Sequence, residues 1–317
     1  MNPDPSHPMP HIVVLGSLNM DLVLRVPHAP AAGETLHGQS IHRIPGGKGG
    51  NQAVSCARQG AQVSLVGCIG ADADGEALRS ALQEDGIDTD ALYTDLAAPT
   101  GTAVILVEDS GQNRIVVIAG ANAKLQFDEA ALQARLAGAQ VFVTQFETPL
   151  AQVQRGMELA HGAGCKVVLN PSPMQPFDAA LWPLIDTLVV NEVEAGALAG
   201  RSVATPIEAA EAGAALRARG VARVIVTLGA AGAVAVDADG ARHHPAPQVK
   251  VVDTTAAGDT FLGTVAVALA SNQTLDEAAA LGIRAAALCV TRPGAQPSIP
   301  TRAEVLQSPP AAAWSPL

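Results

Sequence analysis

The chain has 317 residues, is 48% hydrophobic but only 3% aromatic, and carries a formal charge of −11. That length supplies a core for one large α/β domain, or one such domain with a small appendage, and the acidic balance argues against a nucleic-acid surface, because no segment supplies the basic stripe it needs. Cys56, Cys68, Cys165 and Cys289 lie far apart without C-x-x-C spacing, which argues against a disulfide framework or zinc site and for a reduced, cytoplasmic setting.

Residues 1–10 are Pro-rich and lack a basic segment followed by an apolar run. No later stretch reaches the roughly eighteen apolar residues of a spanning helix, so no membrane contact is expected. Residues 1–10 and 308–317 read as loose tails around a single unit over 11–300. Ile12-Val13-Val14-Leu15-Gly16 reads as a buried parallel strand. It delivers Ser17-Leu18-Asn19-Met20-Asp21 to the carboxyl edge of a sheet, where open α/β folds bind ligands. Asn19 and Asp21, two apart, point the same way on an extended chain and can grip neighbouring sugar hydroxyls. An Asx turn is the competing reading, and the commoner one for an isolated N-x-D.

Two groups of short strands then break the pattern, at about 21–45 and 100–119. The second, Thr102 to Val107 and Arg114 to Ile118, is a β-hairpin joined through Asp109-Ser110-Gly111-Gln112. Neither group alternates with helices, so together they predict a small sheet apart from the main body. Such a sheet must cover one face, by closing over a ligand as a lid or by pairing with a second copy. Between them lies Gly46-Gly47-Lys48-Gly49-Gly50-Asn51-Gln52-Ala53, which carries one of the chain's lysines amid four glycines. It is not a Walker loop, but its backbone can wrap a polar ligand.

Strands at Val63 to Val66, Val141 to Thr144, Val167 to Leu169, Thr187 to Val190 and Val224 to Thr227 alternate with helices at Glu76 to Glu84, Asp128 to Leu136, Leu150 to Ala160, Glu192 to Leu198 and Ile207 to Arg219. That predicts a three-layer, doubly wound, mostly parallel sheet. Gln145-Phe146-Glu147, Asn170-Pro171-Ser172-Pro173, Asn191-Glu192-Val193-Glu194 and Thr227-Leu228-Gly229-Ala230-Ala231-Gly232 all fall at strand ends. The last has glycines that let amides meet phosphate oxygens; for each, a turn or helix cap is the commoner use. His243 and His244 read as a solvated loop.

Near the end, Asp253-Thr254-Thr255-Ala256-Ala257-Gly258-Asp259 opens into an apolar helical pattern. Free amides and the positive helix end suit an anion at Ala256, Ala257 and Gly258. Asp259 would then serve as base toward an acceptor hydroxyl, or Asp253 or Asp259 merely caps the helix.

The glycine-lysine stretch and the segment from Asp253 to Phe261 together resemble the two signatures of the ribokinase-like family of sugar kinases, in the same order, over about Ile12 to Pro300. Gly16 to Asp21, Gly120-Ala121-Asn122-Ala123, Asn170 to Pro173 and Thr291 to Ser298 narrow the resemblance to its ribose-phosphorylating members. The resemblance implies a three-layer α/β body with a β-sheet lid that also forms a homodimer contact, and ATP-dependent phosphorylation of D-ribose at O5. By matching position, Asn19, Asp21, Gly47, Lys48, Asn51 and Glu147 would hold ribose, with Asp259 as base. Asn191, Thr227, Leu228, Gly229, Ala230, Ala231, Gly232, Gly258 and the neighbourhood of Ile283 would hold ATP. Glu194 would place Mg²⁺ through water. K⁺ would bind Asp253, Thr255, Cys289, Arg292, Gly294 and Ser298. The competing readings are a kinase of another sugar or a nucleoside, and a non-catalytic sugar or nucleotide sensor.

Overall fold

Short apolar runs closed by glycine or a polar residue form the strands, and their alternation with helices sets the direction of each. The computed structural model describes residues 9–110 and 112–317. The first part contains strands β1 (His11–Leu15), β2 (Asn19–Val26) and β3 (Ser40–Gly46), helix α1 (Lys48–Arg58), β4 (Gln62–Gly70), α2 (Ala73–Glu84), β5 (Leu92–Asp95), β6 (Gly101–Glu108) and β7 (Asn113–Ile118). The alternating part follows with α3 (Glu129–Leu136), β8 (Val141–Gln145), α4 (Leu150–Gly162), β9 (Lys166–Asn170), β10 (Thr187–Asn191), α5 (Glu192–Ala199), α6 (Pro206–Arg217) and β11 (Arg223–Thr227). Then come β12 (Ala233–Asp237), β13 (Gly240–His244), α7 (Ala257–Ala270), α8 (Leu275–Cys289), α9 (Arg302–Gln307) and β14 (Ser315–Pro316).

The main sheet runs β14-β13-β12-β11-β10-β9-β8-β1-β4-β5. From β11 to β5 every pair is parallel; β12, β13 and β14 add an antiparallel edge. β1 is flanked by β4 on one side and β8 on the other. The chain therefore reverses its winding there, and the residues leaving β1 and β8 line a crevice at the carboxyl edge. The fold is the expected three-layer α/β body. The two excursions meet in a separate sheet, β3-β2-β6-β7, in which β2 and β6 run parallel. Gly111, expected in the β6–β7 turn, lies outside the described residues, as do residues 1–8.

One core lies beneath α1, α7 and α8, the other beneath α3 to α6. Small residues set the helix spacing, as the low aromatic content requires. A Cβ on Gly263 would come within 2.4 Å of Ser55 Cβ, which brings α7 directly onto α1. Gly263→Val is expected to cost about 2–3 kcal/mol through overpacking, checked by the denaturant midpoint; an unchanged midpoint would mean that α1 and α7 are free to separate.

Three expectations need correction at the sheet edge. His243 and His244 are on β13, not in a solvated loop: His244 is 1% exposed, with its ring 2.9 Å from Asp276 Oδ1. Burial lowers its pKa against the opposing pull of Asp276. Arg242, also buried, is compensated by Asp237 and Asp276, so a polar strand is stable where the apolar pattern shows none. The segment 308–317 is not wholly a loose tail, because Ser315 and Pro316 pair with β13 and cover an otherwise open edge. At the other end Pro10 O accepts from Gln62 N at 2.9 Å, which joins residue 10 to the strand ladder.

Candidate active site

Glycine makes the crevice possible. Gly47 adopts φ 84° just before α1, and a Cβ on Gly49 would lie 2.5 Å from Gly16 C and Ser17 N. The first turn of α1 therefore sits on the residues leaving β1, and Gly50 N donates to Ser17 O at 2.9 Å. This presents Lys48 and Asn51 to the residues leaving β1 and β8.

Asp259 is in the first turn of α7 and is 8% exposed. Its carboxylate accepts from Asn51 Nδ2 at 3.0 Å and from Gln52 Nε2 at 2.9 Å. The two distant glycine-rich segments are thus brought into contact through this one side chain. The helix cap is Ala256, held at φ 59° with no side-chain cap bond. A left-handed alanine costs roughly 1 kcal/mol, and it leaves the helix end without the usual Ser, Thr or Asp. Among the described residues no hydrogen bond uses the amides of Ala256 or Gly258; Ala257 N makes only a long 3.3 Å bond to Thr254 O. Gly258 has no neighbouring atom within 4 Å of a built Cβ, so that face is open. The arrangement is a ready anion site.

Asn19 and Asp21 are on β2, not in an Asx turn, and are 4% and 7% exposed. Asn122 Nδ2 donates to Asn19 Oδ1 at 2.9 Å and to Leu18 O at 2.9 Å. Glu147 accepts from Ser17 Oγ and, at 3.1 Å, from Lys48 N. Burial, then the charges of Glu147 and Asp259, push Asp21 up to about 7. Burial acts to lower Lys48, but Asp259, Glu147 and Glu194 together more than offset it and hold the ammonium above the ordinary lysine value. The crevice therefore gathers carboxylates around a single ammonium, an excess of negative charge that favours a cation accompanying any anionic ligand.

Asn191 and Glu194 make a reciprocal capping box on α5, with Glu194 N donating to Asn191 Oδ1 at 2.8 Å and Asn191 N to Glu194 Oε2 at 3.0 Å. The cap reading is realised, but Glu194 still acts on Lys48. Thr227 to Gly232 form a tight turn at the end of β11, with Gly229, Ala230 and Ala231 exposed. Ile283 is 4% exposed and belongs to the core beneath α7 and α8. Most of its side chain is thus engaged in packing, so any ATP contact there falls to the residues around it.

The expected K⁺ set converges beside the α7 cap. Asp253 accepts from Thr255 Oγ1 at 2.7 Å, Thr255 N at 2.9 Å and Gly294 N at 2.9 Å. Burial raises its pKa, but these bonds win and hold it below the usual carboxylate range. Cys289 Sγ lies 3.0 Å from Ser298 Oγ and faces Thr255 O. Arg292 enters through the Cys289 carbonyl, which accepts from Arg292 N at 3.0 Å.

Sequence reasoning missed two residues that the geometry singles out. Gln52 Nε2 bonds Asp259, and Gln145 Nε2 donates to Gln52 Oε1 at 2.6 Å. No spacing rule marks them, since their partners are 207 and 93 residues away. Ser17 was likewise given no role of its own.

Residues 9–302 match the profile of the pfkB family carbohydrate kinases. The chain is 42% identical to a ribokinase of Haemophilus influenzae, over 93% of this chain and 97% of that one. It is 40% identical to a ribokinase of Schizosaccharomyces pombe, over 94% and 97%. The structure of an Arabidopsis thaliana ribokinase complexed with ribose and ATP superposes with a TM-score of 0.88 at 32% identity, covering 94% of this chain and 98% of that one. With its two signature segments joined at Asp259, the chain belongs to the pfkB family of carbohydrate kinases.

Proposed function

We propose that the protein transfers the γ-phosphoryl group of ATP to O5 of D-ribose, giving ribose 5-phosphate and ADP. The observation that carries this reading is Asp259 held by Asn51 and Gln52 at the start of a helix where, among the described residues, the amides of Ala256 and Gly258 are free. Likeness to ribokinases over nearly the whole chain supports ribose as acceptor.

In this reading Asp21, Asn19, Gly47, Lys48, Asn51 and Glu147 orient the sugar. Asn51 Oδ1 is buried without a partner, as an acceptor awaiting a hydroxyl should be. Asp259 takes the proton from O5 as that oxygen approaches phosphorus in line. The amides of Ala256 and Gly258 donate hydrogen bonds to the oxygens of the transferred group and stabilise the charge spread over them. Asn191, the turn from Thr227 to Gly232 and Gly258 hold ATP. Glu194, with one carboxylate oxygen not committed to its cap, would help hold Mg²⁺, which would supply neutralising charge to the phosphates when bound. The carbonyls of Thr255, Cys289, Arg292 and Gly294, with Asp253 and Ser298, are hard oxygen donors that suit K⁺, which would steady the loop presenting the amides. The small sheet acts as a lid that excludes water. A cytoplasmic setting accords with four cysteines that are all free and buried.

Ribose and 2-deoxyribose compared at saturating ATP test the acceptor. A crevice built to bond each hydroxyl should favour ribose by roughly 10²-fold or more in kcat/KM; equal use of both, or preference for another sugar or a nucleoside, would reassign it.

Exposed apolar residues on both edge strands of the small sheet, β3 and β7, support a homodimer. Ile41, Ile115, Val116, Val117 and Ile118 are each more than half exposed, which is costly for a monomer. Sedimentation at micromolar concentration is expected to give twice the chain mass, and Val116→Asp a monomer; a wild-type monomer would contradict this role.

A further inference from the structure

We propose that Gln145 and Gln52 form a two-amide relay that positions the Asp259 carboxylate toward the sugar hydroxyl, a function neither sequence signature assigns. The inference rests on Asp259 being the base. Gln52 and Gln145 are both 0% exposed, so neither reaches the substrate. They act through Asp259. Gln145, the last residue of β8, donates from Nε2 to Gln52 Oε1 at 2.6 Å; Gln52 in turn donates from Nε2 to Asp259 Oδ1 at 2.9 Å.

The order of donors is what matters. The two ends of a glutamine amide have nearly the same shape, and only the hydrogen-bond network decides which faces a neighbour. With its oxygen occupied by Gln145, Gln52 must present its NH₂ to the carboxylate. Without Gln145 the Gln52 oxygen is buried with no donor, and the amide is free to swing away from Asp259 in search of one. Space for the Gln145 amide comes from Gly16, on which a Cβ would lie 2.1 Å from Gln145 Oε1.

A separate anchor is needed because Asn51 is shared. Its Nδ2 bonds Asp259 Oδ2, but its Oδ1 has no partner, and in the proposed complex the same amide serves the sugar. Gln52 has no such second duty. It keeps one carboxylate oxygen fixed while Asn51 exchanges partners during each turnover.

The test is a kinetic double-mutant cycle at saturating ATP, with Asp259→Asn measured alongside. Gln52→Met is expected to lower kcat by roughly 10- to 100-fold, the scale of a misaligned reacting group, with KM for the sugar within about twofold. Gln145→Met should lower kcat by about three- to tenfold alone and add nothing in the Gln52→Met background, since a relay has no effect once its last member is gone. Gln52→Glu fills the same volume and still accepts from Gln145, but buried against Asp259 it shares a proton with that carboxylate and so occupies the site that must take the sugar's proton; it should be at least as slow as Gln52→Met. Independent, multiplying effects, unchanged kcat, or a Gln52→Glu enzyme near wild type would each overturn the relay. If Gln52→Met does not fold, Gln52→Glu and Gln145→Met decide the matter. A silent relay with an inactive Asp259→Asn leaves the base assignment intact, whereas an active Asp259→Asn removes that assignment itself.

Discussion

Asp259→Asn is expected to lower kcat by roughly 10²-fold or more, the scale of lost general-base assistance, while ribose and ATP still bind within about threefold of wild type. The change adds an NH₂ where two donors, Asn51 Nδ2 and Gln52 Nε2, already converge. One of them must reverse, and Asn51 can, because its Nδ2 then meets a sugar hydroxyl that accepts a hydrogen bond as readily as it donates one. Gln52 is pinned by Gln145. The fold should therefore survive, and the loss should be one of chemistry. Calorimetric binding beside turnover at saturating substrates separates the two; near-normal turnover would rule out Asp259 as the base.

Asp21→Asn should show the opposite balance, gaining stability while losing affinity for the sugar. Burial and the charges of Glu147 and Asp259 push Asp21 from an ordinary value of 3.8 to about 7. The folded protein thus binds a proton between about pH 4 and pH 7 that the unfolded chain releases, and stability falls as pH rises through that window. Each pKa unit is worth about 1.4 kcal/mol. Asp21→Asn is expected to raise stability by about 2–4 kcal/mol above pH 8 and by little below pH 4, with KM for ribose up by roughly 10²-fold for the lost charged acceptor. In the wild type, KM for ribose should rise as pH falls below about 7, and this dependence should vanish in the variant. Denaturant midpoints and KM against pH check both; a variant no more stable at pH 8 would mean that Asp21 carries no such strain.

The parallel strands were legible because each is a short apolar run ending at a glycine or polar residue, as at Ile12 to Gly16. The antiparallel edge was not, because β13 buries Arg242 and His244 and compensates them with Asp237 and Asp276. Helix α8 went unread although Thr274 and Glu277 form a capping box at its start. Its alanine-rich face gives too little contrast between buried and exposed positions. In the site, the glycine-lysine stretch and Asp259 were legible as motifs, but the contact between them is a product of the fold. Ile283, named only through the resemblance, lies in the core beneath α7 and α8, which its surrounding sequence does not mark. Gln52 and Gln145 act only through a neighbour, so no local pattern records them.

The most direct measurement of the central claim is ³¹P NMR of the purified protein incubated with ATP, Mg²⁺, K⁺ and ribose. A new phosphomonoester resonance split by both C5 protons, growing in step with ADP and roughly 10²-fold more slowly with Asp259→Asn, is the predicted result. ADP formed without ribose, or no ribose-dependent ester at all, would contradict the account.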